Sequence, residues 1–240
     1  MKFLLQSLLI LSFVTIINAQ KTVLKVATTD GKSMTFIVDE IDSITFTPNG
    51  SGEEFTCGTA TVTYMKKTYH TVLIGEQCWI KENLNVGLMI NANTPQADNG
   101  IIEKYCFNDS ELQCDTLGGF YQWNELMQYT TTEGEQGICP SGWHIPTLGE
   151  FAVLNSSVES EAKALMEIGE DFEGNLATNS SGFSALLSGY VNSDGVSTSS
   201  VFANFYSSSV GSSVYFRSNS SVANWTNNTN EGYSLRCLKD

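Results

Sequence analysis

The sequence is poor in charge, and in positive charge above all. Only 16% of its 240 residues are Asp, Glu, Lys or Arg, and 12 Lys and Arg face 26 Asp and Glu, a formal net charge of −14. No basic patch is expected, which argues against nucleic acid and anionic membrane surfaces as partners. Histidine is scarce too, at two residues, and no Cys-x-x-Cys occurs, so a zinc site of ordinary ligand spacing has no support. Beyond the N-terminus no apolar run is long enough to span a bilayer. No period of repeat-protein length recurs, which excludes solenoids and propellers.

What is present points to an exported, folded chain. Met1-Lys2 is followed by an apolar run from Phe3 to Ile17, and Ala19 precedes Gln20. That is the layout of a signal peptide over residues 1–19. No cysteine follows the apolar run, so a lipoprotein anchor is not expected, and the mature chain should be secreted or displayed at the cell surface, without a membrane span. Hydrophobic residues make up 41% of the chain, with 13 Phe, 9 Tyr and 4 Trp, enough to fill a core. Six cysteines, Cys57, Cys78, Cys106, Cys114, Cys139 and Cys237, form an even set in an exported context, so disulfides are the default reading.

The patterning divides the chain. Residues 20–47 alternate apolar and polar positions around Asp30-Gly31, a hairpin signal, and "SITFT" (43–47) reads as a further short strand. Residues 48–54, "PNGSGEE", form a linker. The main domain, 55–240, opens with two strands followed by a turn over residues 60–86. A cross-linked loop spans 100–119, and an aromatic block covers 118–129. Thr147 and Glu150 fit a capping box, with Phe151, Leu154 and Val158 at helical spacing behind it. A second helix is expected over 159–168, with Ala162, Leu165 and Met166 on one face and Gly169 as its stop. Short strands are expected at 183–191, 202–209, 213–218 and 232–240. Strands, then helices, then strands give an α+β class.

Five blocks in order, "TVLIGEQCWIKENLNVG", "GGFYQWNELMQY", "GICPSGWHIPTLGEF", "SGFSALLSGY" and "GYSLRCLKD", resemble the Fibrobacter succinogenes major paralogous domain of exported Bacteroidota and Fibrobacterota proteins. The resemblance covers roughly residues 57–240. It implies a C-type-lectin-like fold of short twisted antiparallel strands with two helices, stapled by disulfides. It also implies a Cys139–Cys237 pair. Proximity then suggests Cys106–Cys114, leaving Cys57–Cys78. The chain departs from the family pattern at Gly149 and Phe151, where a polar residue and Trp are usual, and at Phe205-Tyr206, where a Trp pair is usual.

Three functions follow as expectations, in order. The first is a non-enzymatic recognition or adhesion module for an extracellular glycan or protein. The second is a purely structural surface component, and the third an enzyme of the formylglycine-generating class. Cys139 and His144 could in principle form a thiolate–imidazole pair, but an oxidised Cys139 and a packed His144 are the expected state, and no catalytic residue is assigned. Sugar-binding C-type lectins use a Glu-Pro-Asn type triplet, which is absent here. "NWTNNTNE" (224–231) is the near match to their second triplet, so Trp225, Asn227, Asn228 and Glu231 are the candidate ligand-binding residues. No cofactor is required, and calcium is the one ion this hairpin could hold. Tyr190, Phe202, Phe205, Tyr206, Tyr215 and Phe216 crowd the same region, and most are expected in the core.

Overall fold

The computed structural model describes residues 55–170, 176–199, 202–217 and 229–240, together with the backbone of strands Val23–Ala27, Ser33–Ile37 and Ala223–Thr226. The signal segment 1–19, the strand expected at 43–47, the linker 48–54, and Asn227 and Asn228 lie outside these residues. The chain divides into two compact units, Met1–Glu53 and Glu54–Asp240. In the first, β1 (Val23–Ala27) and β2 (Ser33–Ile37) pair antiparallel, with Val23 opposite Ile37 and Ala27 opposite Ser33.

The second unit is a mixed α/β domain with three disulfides and a curled antiparallel sheet. Strands β3 (Thr61–Tyr64), β4 (Lys67–Ile74) and β5 (Gln77–Ile80) form a meander. The sequence predicts two strands here and the structure has three. The missed turn is Met65-Lys66, which joins Tyr64 to its partner Lys67 with φ of 46° and 66°. Two-residue hairpins need two left-handed residues, and here both are non-glycine, so the usual sequence mark is missing. Next come β6 (Leu88–Met89) and β7 (Glu103–Lys104), a short parallel pair, and the helices α1 (Glu111–Leu117) and α2 (Trp123–Leu126). Strand β8 (Trp143–His144) leads into α3 (Leu148–Ser157). Strands β9 (Tyr190–Val191) and β10 (Ser197–Thr198) pair with each other. A three-stranded antiparallel sheet follows, in order β11 (Ala203–Tyr206), β12 (Ser212–Phe216), β13 (Ala223–Thr226). The last strand, β14 (Leu238–Lys239), inserts between β5 and β8 to complete the five-stranded order β3-β4-β5-β14-β8.

The helix at 148–157 starts as its sequence predicts. The Thr147 hydroxyl accepts from the Glu150 amide at 3.1 Å, and the Glu150 carboxylate accepts from the Thr147 amide at 2.7 Å. The helix predicted at 159–168 is not there. Glu159 and Ser160 take φ of 55° and 63°, which breaks a right-handed helix, and only one 3-10 turn, Ala162–Ala164, remains. Ala162, Leu165 and Met166 are still buried, because Met166 bridges to Ala185 and the segment lies on the core as irregular chain. The domain thus has three α-helices among the described residues, not two. The 100–119 loop contains α1, and the strands predicted at 183–191 and 232–240 shrink to two residues each, Tyr190–Val191 and Leu238–Lys239.

The period-2 alternation of strands sorts the core into two faces. On β5, Cys78 and Ile80 enter one cluster with Leu84, Tyr121, Trp123 and Leu235, while Trp79 enters the other with Phe151, Phe183, Phe205 and Phe216. Cys237 and Leu238 divide the same way. Trp79 is fully buried, with Phe151 and Phe183 at 5.3 and 5.5 Å between ring centroids. Phe205, Tyr206 and Phe216 are core, whereas Tyr190, Phe202 and Tyr215 are half-buried.

Candidate functional site

Each cysteine is joined to another: Cys57 to Cys78, Cys106 to Cys114, and Cys139 to Cys237. Cys139 therefore offers no thiolate to His144. The histidine instead bridges two carboxylates, with Nε2 2.9 Å from Glu150 and Nδ1 2.7 Å from Asp240. This links the start of α3 to the chain's last residue. The bond to Glu150 raises the His144 pKa, burial opposes it, and Asp240 adds to the rise. Burial pushes Glu150 up, but its bonds from His144 and Thr147 outweigh that and hold it below the usual value.

The pH dependence follows from these directions. A raised histidine contributes in full below its unfolded value of about 6.5 and is lost as pH rises through the folded value. A lowered glutamate contributes above its unfolded value of about 4.3 and is lost as pH falls through the folded value. The pair therefore contributes most between roughly pH 4.5 and 6.5. Thermal melts of the native protein and of His144→Asn should differ most near the middle of that window and converge in mild alkali. A difference independent of pH would contradict the charged bridge.

The sequence-predicted ligand set is not assembled by the described residues. Trp225 lies on β13 opposite Ser213. Glu231 is half-buried and committed: its carboxylate accepts from the Tyr233 hydroxyl, and its carbonyl accepts from the Tyr206 hydroxyl at 2.9 Å. Burial raises the pKa of both tyrosines well above the ordinary phenol value, so both donate. The one grouping of three candidate metal-ligating side chains among the described residues is Cys106, Glu111 and Cys114. Its two sulfurs are a cystine, which is not a thiolate ligand.

A cleft of about 370 Å³ lies elsewhere, where β4, the segment after β5, the end of α1 and the segment before β14 converge. Lys67, Tyr69, Lys81, Glu82, Asn83, Asn85, Asp115, Thr116, Gly118, Ser184 and Arg236 line it. Its walls are fixed by two buried amides. Asn83 donates to the Leu117 carbonyl at 2.8 Å, and its Oδ1 accepts from Arg236 Nε at 2.9 Å. Asn85 donates to the Cys114 carbonyl at 2.7 Å, accepts from Lys104 Nζ at 2.7 Å, and gives its backbone N–H to the Tyr69 hydroxyl at 3.1 Å. Burial pushes Tyr69 up to about 12. The end of α1 can approach Asn83 because residue 118 is glycine: its φ is +86°, and a Cβ there would stand 2.4 Å from the Asn83 Cβ.

Arg236 forms the floor. It is 1% exposed, and its guanidinium lies 4.4 Å from the Phe183 ring centroid and 5.3 Å from that of Phe205. Its Nη atoms donate to the carbonyls of Phe183 and Ser184, the latter at 2.8 Å. No carboxylate forms an ion pair with it among the described residues. Burial pulls its pKa down to about 9, against the pull of Glu82 and Glu167, and it stays charged at neutral pH. At the rim Lys67 pairs with Asp115 at 2.6 Å, which holds that carboxyl below its ordinary value, and His70 bonds Glu82 at 2.7 Å. The Lys81 backbone N–H donates to the His70 carbonyl at 2.9 Å, and its side chain has no partner among the described residues. Sequence reasoning missed this site because its cations stand at positions 67, 81 and 236, with no local run to betray them; the one signal was an arginine beside a cysteine in an otherwise apolar block.

No curated protein matches the chain, and no solved structure does. The Fibrobacter succinogenes major domain matches residues 72–239, a stretch that takes in the end of β4, β5, the cleft residues from Lys81 to Arg236, the Cys139–Cys237 bridge and the last strand, and the chain belongs to that family.

Proposed function

We propose that the protein is an exported, non-enzymatic recognition module of C-type-lectin-like fold that binds a glycan or protein outside the cell. The observation that carries this reading is the cleft: a ligand-sized concavity with walls locked by Asn83, Asn85 and Arg236, so that binding needs little reordering. Three cystines support an oxidising compartment, where such bonds persist. They also take up the thiols that chemistry of the formylglycine-generating class would need.

The test is a glycan array probed with the oxidised protein, with and without calcium. Retention of a restricted set of glycans is expected, unchanged by calcium if the cleft is the site. Loss of that retention on Asn227→Ala with Asn228→Ala would move the site to the 224–231 hairpin. Absence of retention on any glycan, together with no captured extracellular protein, would overturn recognition in favour of a structural component.

A further inference from the structure

We infer that the cleft takes a carboxylate-bearing saccharide, a uronic-acid residue of an acidic glycan, with Lys81 as the group that meets the carboxylate and Arg236 as the fixed positive charge beneath it. The inference rests on the recognition reading and names the ligand class of its site.

Charge carries the argument. The chain has 12 Lys and Arg against 26 Asp and Glu, yet the cleft is lined by three of those cations and only two carboxylates. Both carboxylates are engaged at the rim, Asp115 by Lys67 and Glu82 by His70. Two cations remain without an ion pair: buried Arg236, whose hydrogen-bond acceptors are neutral and which feels Glu82 and Glu167 only across a longer range, and the Lys81 side chain, which has no partner among the described residues. A buried cation with no ion-pair partner carries a desolvation penalty that an incoming anion offsets. A fixed guanidinium in surroundings of low dielectric also projects its charge more strongly than a solvated one.

The rest of the lining suits a sugar better than a bare ion. Thr68 and Thr116 also line the cleft, their hydroxyls bonded to the Thr63 hydroxyl and the Leu112 carbonyl, and its size falls within the range of small-ligand sites and exceeds what a single small ion needs. Lys81 is a flexible point charge able to follow a carboxylate on a ring, while Arg236 is held by its three acceptors and cannot move to meet it. The division of roles follows from that contrast.

Calorimetric titration of the oxidised full chain with trigalacturonate tests this. Its methyl ester, galactotriose and inorganic phosphate serve as comparison probes. Binding of trigalacturonate alone is expected, weakened roughly tenfold by Lys81→Gln, the loss of one charge-assisted hydrogen bond. It should be unchanged by Lys66→Gln in the turn outside the cleft. Equal binding of the methyl ester or galactotriose would overturn the role of the carboxylate. Equal binding of phosphate would reduce the site to a simple anion site. Failure of trigalacturonate with retention of neutral glycans on the array would sink this inference and leave the recognition reading standing; failure of both would remove both.

Discussion

Replacing Arg236 with alanine should destabilise the oxidised protein by about 3–5 kcal/mol. Three terms set the sign. The Asn83 Oδ1 and the carbonyls of Phe183 and Ser184 lose their donor, and a buried polar atom left without a partner costs about 1–3 kcal/mol. The side chain leaves a void between Phe183 and Phe205, in the range of large-to-small core substitutions at about 2–5 kcal/mol. Removing a buried charge that has no ion-pair partner gives on the order of several kcal/mol back. The two costs together exceed the one relief. Arg236→Lys should recover little, because an ammonium cannot reproduce a planar fork aimed at three acceptors. Denaturant unfolding reads both. A change under about 1 kcal/mol for Arg236→Ala would mean that relief of the buried charge cancels both costs, so that the arginine is not what holds the cleft floor.

The second large effect is loss of the Cys139–Cys237 bridge. The three disulfides span sequence separations of 98, 21 and 8 residues. Loop-closure entropy then ranks their contributions at about 4.7, 3.3 and 2.5 kcal/mol respectively. The long bridge also ties Cys139, just ahead of β8, to Cys237, the residue before β14, and so holds the edge strand β8 beside the inner strand β14. The Cys139→Ser/Cys237→Ser protein should have the lowest denaturation midpoint of the three double variants, and Cys106→Ser/Cys114→Ser the highest. An inverted order would show that local strain, not chain entropy, sets these contributions.

Local rules were legible in the sequence, and long-range ones were not. The capping box at Thr147 and Glu150 is a four-residue rule, and the structure obeys it. The helix expected over 159–168 failed on a local point of another kind: nothing in its apolar spacing shows that Glu159 and Ser160 turn left-handed and that the buried side chains reach the core without a helix. The turn at Met65-Lys66 hid for the same reason, since left-handed non-glycine residues leave no mark in composition. The cleft was hidden by distance. Asn83 meets Arg236 across 153 positions, and no spacing rule reaches so far. The hairpin at 224–231 stood out by its asparagines, whereas the locked amides Asn83 and Asn85 sit in a stretch that reads simply as the turn after two strands.

Under the proposed recognition function the cysteines form a structural framework around the cleft and take no part in chemistry. Intact mass of the secreted protein after alkylation, without and with reductant, tests it most directly. No added alkyl groups are expected without reductant and six with it, one for each cysteine. Two groups added without reductant, with one of them on Cys139, would contradict it and make thiol or metal chemistry the leading function.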